Sequence, residues 1–448
     1  MGAEHVFHRS TGARPPVAVG GDGIFLIGEN GRRYIDACGG AAVSCLGHGH
    51  REVVAAMSEQ AARLEYIHTG SFTSDAAEQL AAMLADMSSG TLDRIWYTSS
   101  GSEAIEAALK LARQYHLERG NAERTHVIAR RQSYHGNTLG ALAAGGNAWR
   151  RAPYAPLLID VALVDPCFEY RFAEPDESPE SYGARAANAL EQEIVRLGPE
   201  TVIGFVAETV VGATSGAVPP APGYLRKVRE ICDRHGVLLI LDEVMCGSGR
   251  TGTFLSCEQD GVIPDIVTLG KGLGAGYQPI GAVICTAEVY EAVARGSGAL
   301  KHGQTYNAHP VGCAAALAVQ RVIRDEGLLG RVQESGARLM ALLTDRLGDH
   351  PNVGNIRGRG LLQAVELVAD RSTKAPFDPA LAIHQRAKAE AFARGLLIYP
   401  SGGTIDGRQG DHILLAPPYN VTDGELDMIV DLLAETIDAI LPPARLAS

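Results

Sequence analysis

The segment from 237 to 284 constrains this chain more than any other. It reads GVLLILDEVMCGSGRTG and, further on, PDIVTLGKGLGAGYQPIGAVI. The apolar run 237–241 predicts a buried strand, and it ends on two acids, Asp242 and Glu243. A second short strand, 265–269, delivers Lys271 into a glycine-rich turn. Lys271 follows Asp242 by 29 residues, about the length of one strand–crossover–strand unit. In a parallel sheet both residues then stand at the carboxyl ends of neighbouring strands, where open α/β sheets bind their ligands.

An acid that ends a strand also serves as a helix cap, and a lysine in a glycine-rich loop is ordinarily solvated, so the pair needs support from elsewhere. The stretch TSSGSEAIEAALKLARQYH at 98–116 supplies some. Ile105, Ala108, Ala112 and Tyr115 form one apolar face at helical spacing, and Glu106 and Lys110 stand four apart. The helix therefore starts close to Gly101 and Ser102, after a run of small residues. Backbone N–H groups at such a start bind phosphate, helped by the helix dipole. The strand 125–129 leads into SYHGNTLGA, where Tyr134 and His135 sit in a turn; an aromatic there stacks on a planar ring or simply packs. A helix at 182–197, a strand at 202–208 ending on Glu208 and a helix at 224–235 continue the alternation. This pattern predicts an α/β fold with a mostly parallel sheet covered on both faces.

The two ends of the chain read differently. Residues 1–23 are rich in glycine and proline and predict an arm over a larger body, and 23–36 alternates around Asn30-Gly31, a strong hairpin signal. Helices follow at 52–66 and 74–87, the second capped by Ser74 or Asp75. The polar, acidic 165–182 predicts a surface insertion. Helices at 311–325 and 328–347 precede alternating segments at 355–368, 395–399 and 412–415 with helices at 379–393 and 423–440. These predict a small α+β domain. The expected division is an N-terminal segment 1–60 that joins the small domain, a large domain 61–330, and a C-terminal small domain 331–448.

Composition excludes some functions. A net charge of −12 opposes a general role on nucleic acid or an anionic membrane. The eight cysteines form no CxxC pair and suit a reducing cytoplasm, and there is neither an apolar leader nor a run of 18 apolar residues. Cys45, His48 and His50 lie together in sequence, but glycines flank the histidines and no further ligand follows at useful spacing, so no metal site is expected. GSGRTG at 247–252 is a literal GxGxxG, yet two acids separate it from its strand and no clean helix follows, which argues against nicotinamide binding.

A lysine that forms an imine and an acid that pairs with a protonated pyridine nitrogen are the two requirements of pyridoxal phosphate (PLP) chemistry. Lys271 and Asp242 match them. Over nearly its whole length the chain resembles the class III PLP-dependent aminotransferases, the ω-aminotransferase group of fold type I. The matching stretches are GHGH near His48, TSSGSEAIEAALKLAR, SYHGNTLGA, ETVVGATSGAVPPAPGYL, LDEVMCGSGRTG, DIVTLGKGLGAGYQPIGAV, HGQTYNAHP and DHILLAPP, in the family's order. The resemblance implies that Lys271 is the imine lysine and proton shuttle and that Asp242 holds the ring nitrogen protonated. It implies that Val244 and Tyr134 pack on opposite ring faces, with His135 beside them, and that Gly101 and Ser102 hold the phosphate. Thr305 then reaches the phosphate from the partner subunit, which implies a homodimer with shared sites, and Glu208 lies near the ring hydroxyl and the substrate entrance.

One departure bears on substrate. Family members acting on α-amino acids carry an arginine shortly before the C-terminal Pro-Pro to grip the α-carboxylate in two hydrogen bonds. DHILLAPP has none, and Arg408, in the loop just upstream, is the only close candidate. It resembles the mobile arginine of amine:pyruvate enzymes, although its spacing is off by about one residue. The expected function is a cytoplasmic homodimeric aminotransferase that moves an amino group from an ω-amino acid or primary amine to a keto acid, pyruvate first among them. Aminomutases, racemases and lyases of the same fold use the same lysine and aspartate, and a catalytically silent cofactor-binding protein is the alternative outside enzymes.

Overall fold

A computed structural model describes residues 5–12, 14–88 and 90–441. Its centre is a seven-stranded sheet. In spatial order the strands are Leu92–Thr98, Gly281–Thr286, Ile266–Leu269, Leu238–Asp242, Val202–Glu208, His126–Arg130 and Ala162–Val164. Gly281–Thr286 runs antiparallel to both neighbours and every other pairing is parallel. All residues of Val202–Glu208 and Leu238–Asp242 are buried, which explains why these strands read as unbroken apolar runs rather than alternating ones. The expected boundaries of the strands and of the helices Pro179–Leu197 and Tyr224–His235 hold to within a few residues. The connection from Leu238–Asp242 to Ile266–Leu269 contains no α-helix, only loops and the 3-10 turn Ser256–Asp260.

The N-terminal hairpin forms as expected from Phe25–Gly28 and Arg33–Asp36. Its loop is a β-turn closed by Gly31 N–H on the Gly28 carbonyl, with Gly31 in the left-handed region at φ +77°. Leu396–Leu397 adds to this sheet in parallel, so the two ends of the chain meet. A second four-stranded antiparallel sheet is built from Val353–Arg359, Leu362–Leu367, Asp411–Leu415 and Tyr399–Gly402. One apolar cluster joins Ile24, Ile35 and Leu46 to Leu339, Leu367, Ile413 and Leu433. This shared core supports the division into segments 1–60, 61–330 and 331–448, which we propose; residues 1–4 and 442–448 lie outside the described ones. The helix Pro310–Asp325 spans both bodies, with Cys313 and Leu317 in the core beneath the large sheet and Val319 and Ile323 in the other.

Segment 165–182 is more than a surface insertion. Cys167, Phe168 and Tyr182 are buried, and the Tyr182 hydroxyl accepts the Phe168 N–H at 2.6 Å. Arg171 donates to Glu366 at 2.6 Å, and Glu366 also accepts from Arg357 at 2.5 Å. Arg357 in turn donates to the carbonyls of Gly216, at 2.7 Å, and Ser215. The acidic composition concealed this because the buried residues are few and widely spaced. GSGRTG has a similar task. Arg250, fully buried, donates to the carbonyls of Leu361 and Pro417 and lies over the Tyr419 ring, 4.6 Å from its centroid. The motif is an interdomain plug. Removing the charge of Glu366 strands two buried guanidinium groups. Glu366→Gln is therefore expected to cost about 3 kcal/mol, read as a drop in the urea unfolding midpoint; an unchanged midpoint contradicts this account of the joint.

Candidate active site

Register in the parallel sheet assembles the site. Glu208 pairs with Asp242, and Asp242 pairs with Thr268, so three polar side chains stand side by side on adjacent strand ends. All three are buried. Lys271 lies three positions beyond Thr268, in the 3-10 turn Lys271–Leu273. Its φ of +44° is in the left-handed region, which a residue with a Cβ occupies at a cost of about 1–2 kcal/mol. The turn is held by Leu273 N–H on the Gly270 carbonyl and Gly274 N–H on that of Lys271. Of the six lysines in the chain, Lys271 is the one whose amine is pushed below its usual range, by burial, with Asp242 and Glu208 pulling the other way.

Asp242 is fixed on both oxygens. His135 Nδ1 lies 2.7 Å from Oδ2, and Val244 N–H donates to Oδ1 at 3.0 Å, with the Thr268 hydroxyl at 3.4 Å. His135 thus stands behind the aspartate as its positioning residue. Its Nε2 is buried and meets no partner among the described residues. Glu208 accepts the N–H of Tyr134 at 3.1 Å and that of Gly212 at 2.9 Å, while its own carbonyl receives Arg130. Burial, then the nearby Asp242, holds the Glu208 carboxyl above the usual range, against the opposing pull of His135 and these two N–H groups. The Tyr134 phenol is also raised by burial, while Arg150 and Arg9 draw it down.

The phosphate-binding expectation meets a cradle of the right kind. Ser100 caps the helix Gly101–Glu118 by accepting the Glu103 N–H at 3.3 Å. The N–H groups of Gly101 and Ser102 belong to the first turn, where the helix itself has no acceptor for them. A Cβ on Gly101 would come within 2.8 Å of Val244 Cγ1, and one on Gly136 within 2.2 Å of Ser102 Oγ. Ser102 Oγ also accepts the Asn137 N–H at 3.0 Å. Gly101, Ser102, Tyr134, His135, Val244, Asp242, Glu208 and Lys271 therefore form one group. Thr305 is not brought to it within a single chain. It is exposed and borders a cavity of about 660 Å³ with His68, Gln304 and Asn307. Arg408 is exposed on the rim of another cavity, of about 410 Å³, with Arg150, Thr214 and Ser401.

Sequence reasoning missed Thr268, Arg130 and Glu243. Glu243, the second acid of the pair, turns away from the site and binds the loop behind it. It accepts from the Thr209 hydroxyl at 2.6 Å and from the N–H groups of Ser256 at 2.7 Å and Cys257 at 2.9 Å. Strand alternation was the available signal, since neighbours on a strand face opposite sides. His48 contacts Asp36 at 3.1 Å, and no metal-binding cluster of His, Cys, Asp or Glu exists among the described residues.

The donor set fits PLP: a half-buried lysine with a lowered pKa, an aspartate fixed for a ring nitrogen, and a helix start that only small residues leave open. The whole fold supports the same conclusion. The (S)-enantioselective omega-transaminase of Thermomicrobium roseum superposes with a TM-score of 0.91 at 35% identity, covering 98% of this chain and 96% of that one. The PMP-bound aminotransferase of Vibrio fluvialis does so with a TM-score of 0.88 at 31% identity, covering 95% and 93%. Fold and site together define a PLP-dependent enzyme of fold type I. The model of the class-III aminotransferases matches residues 8–437, and the chain belongs to that family. An uncharacterized aminotransferase of Schizosaccharomyces pombe is 46% identical over 97% of this chain and 95% of its own length. The taurine–pyruvate aminotransferase of Rhodobacter capsulatus is 37% identical over 98% and 95%.

Two outcomes are expected here. Gly101→Ala forces Val244 outward and weakens cofactor binding about tenfold, or ~1.4 kcal/mol, and Val244→Ala in the same chain recovers most of it; cofactor titration followed by absorbance checks both. Glu243 is raised by burial to about 7, above its unfolded value of 4.5, so its contribution to stability is full below pH 4.5 and is lost as pH rises through 7. The urea midpoint is expected to fall between pH 5 and pH 8 by up to about 3 kcal/mol in stability, and Glu243→Gln to flatten that slope.

Proposed function

We propose that this enzyme is an ω-transaminase, taking the amino group of an ω-amino acid or primary amine and passing it to a keto acid, with pyruvate as the first choice. The observation that carries this reading is the strand Asp411–Leu415. All five of its residues are buried and none is an arginine; Arg408 is exposed in the preceding loop, and Arg150 borders the same cavity of about 410 Å³. A fixed grip for an α-carboxylate is absent from the strand, and Arg408 supplies a movable one.

Bound at this site, PLP supplies an electrophilic carbon and a ring that takes up the electron pair left when a C–H bond breaks. Lys271 Nζ would hold the cofactor, and its amine would be the base that takes the proton from the substrate carbon. Burial lowers the Lys271 amine below its usual range, which favours the neutral form that accepts a proton. Asp242 keeps a proton on the ring nitrogen, and the contacts of His135, Val244 N–H and Thr268 hold its carboxylate in one orientation. Val244 and Tyr134 would flank the ring, and the N–H groups of Gly101 and Ser102 would receive the phosphate. Glu208, tied to Tyr134 and Gly212, guards the ring hydroxyl and the substrate entrance.

The active form is a homodimer in which the partner subunit's Thr305 completes the phosphate site. Supporting this, the Thr305 loop carries buried polar atoms without partners among the described residues, Gln304 Oε1, Asn307 Oδ1 and His302 Nε2. All eight cysteines are unpaired and buried, which supports a cytoplasmic location. No helix among the described residues is long and apolar enough to cross a membrane.

The test is the visible absorbance of the purified holoenzyme with β-alanine, then with a simple aryl amine, then with pyruvate. The yellow colour is expected to bleach with an amine and return with pyruvate, and Lys271→Ala to lose turnover by at least about 10⁴-fold. A yellow protein that exchanges amino groups only with α-amino acids contradicts the ω-selective reading.

A further inference from the structure

Arg150 is the unexplained charge of this molecule. It belongs to the short helix Ala148–Arg151, whose first turn is capped by buried Asn147; the Asn147 side-chain Oδ1 accepts the Arg150 N–H at 3.4 Å. Asn147 is in turn within 3.3 Å of Gln132 Oε1, just before the Tyr134 turn. The Arg150 guanidinium lies 4.9 Å from the centroid of the Tyr134 ring and 4.5 Å from that of Trp149. It is half-buried, and its Nε is buried with no hydrogen-bond partner. Among the described residues no carboxylate or carbonyl accepts from this guanidinium. The neighbouring Arg151 shows the contrast, since it donates to the carbonyls of Leu142, Ala143 and Gly145.

Arg150 also borders the cavity of about 410 Å³ that has Arg408 on its rim. The one carboxylate on that cavity wall, Asp411, is occupied by His384 Nδ1 at 2.7 Å and the His384 N–H at 3.1 Å. A half-buried guanidinium with its Nε unused, across a cavity from a second arginine and with that cavity's one carboxylate held by His384, suits an anion. The same guanidinium lies over Tyr134, whose N–H is held by Glu208, so this cavity abuts the turn that carries Tyr134 and His135.

We infer that Arg150 is a specificity-determining residue that receives the anionic end, carboxylate or sulfonate, of an ω-amino-acid donor, with Arg408 closing on the same group. This rests on the ω-transaminase reading and adds to it which residue makes the acid-bearing donor preferred over a plain amine. Stacking on Tyr134 and Trp149 orients the planar group, so lysine at this position supplies the charge without the two-pronged geometry.

The experiment uses the holoenzyme in two arms. In the first, binding of butanoate, an amine-free analogue of 4-aminobutanoate, is measured by calorimetry for the wild type, Arg150→Met and Arg150→Lys. Affinity is expected to fall about ten- to a hundredfold in Arg150→Met and to recover in part in Arg150→Lys. In the second, kcat/KM is compared for 4-aminobutanoate and for 1-aminobutane. The ratio is expected to drop at least about tenfold in Arg150→Met, chiefly through KM. Equal losses for both donors with unaltered butanoate binding overturn the inference and make Arg150 a prop for Tyr134. Absence of turnover with both donors in the wild type, with butanoate binding still dependent on Arg150, overturns the ω-transaminase reading and leaves the anion site standing.

Discussion

The register of three parallel strands carries the rest of this structure. With Glu208 opposite Asp242 and Asp242 opposite Thr268, the Asp242 carboxylate is flanked by fixed neighbours before any ligand arrives. A slip of one residue in any of these strands would turn its side chain to the other face of the sheet and dismantle the site. The strands are buried on both faces, so their register is set by packing rather than by turns. Lys271 benefits from the same rigidity. Its strained backbone turn is anchored by the strand Ile266–Leu269 on one side and by the buried loop beneath Tyr419 on the other, where Gly272 approaches the Tyr419 hydroxyl.

Charge is spent in two different ways in this molecule. In the joint between the bodies, Arg171, Glu366 and Arg357 satisfy one another and the carbonyls of Ser215 and Gly216. Arg250 ends with one nitrogen on the Leu361 and Pro417 carbonyls and its plane against Tyr419, while its Nε and Nη2 meet no partner among the described residues. Those arginines fix where the small domain sits. Around the substrate entrance the pattern reverses: Arg150 and Arg408 face a cavity with no acid left to pair with them. A protein of net charge −12 that keeps two arginines without a carboxylate partner at one cavity has concentrated positive potential there.

Much of this was legible in the sequence. Long, strongly periodic or wholly apolar segments such as Val202–Glu208, Tyr224–His235 and Leu328–Leu347 announced themselves because one face, or both, is buried along the whole element. That Glu208 and Asp242 come together was legible because both are acids at the ends of wholly apolar strands, which parallel pairing sets side by side. What stayed hidden depends on distant contacts. Nothing local distinguishes Arg250 or Arg357 from a surface arginine, since the carbonyls that receive them, those of Leu361 and Pro417 for Arg250 and of Ser215 and Gly216 for Arg357, are more than a hundred residues away. The loop GSGRTG looked like a nucleotide motif because glycines serve close packing as well as phosphate binding. Thr305 is the reverse case, legible by resemblance yet exposed on a separate cavity in the single chain.

The central claim is that the Asp242–Lys271 pair is the place where PLP is held. Borohydride reduction of the holoenzyme followed by proteolysis and mass spectrometry tests it most directly. The account predicts one modified peptide, carrying reduced cofactor on Lys271, and its disappearance when an amine donor is added before reduction. Label on another of the six lysines, or a Lys271 peptide left unmodified in yellow protein, would contradict it.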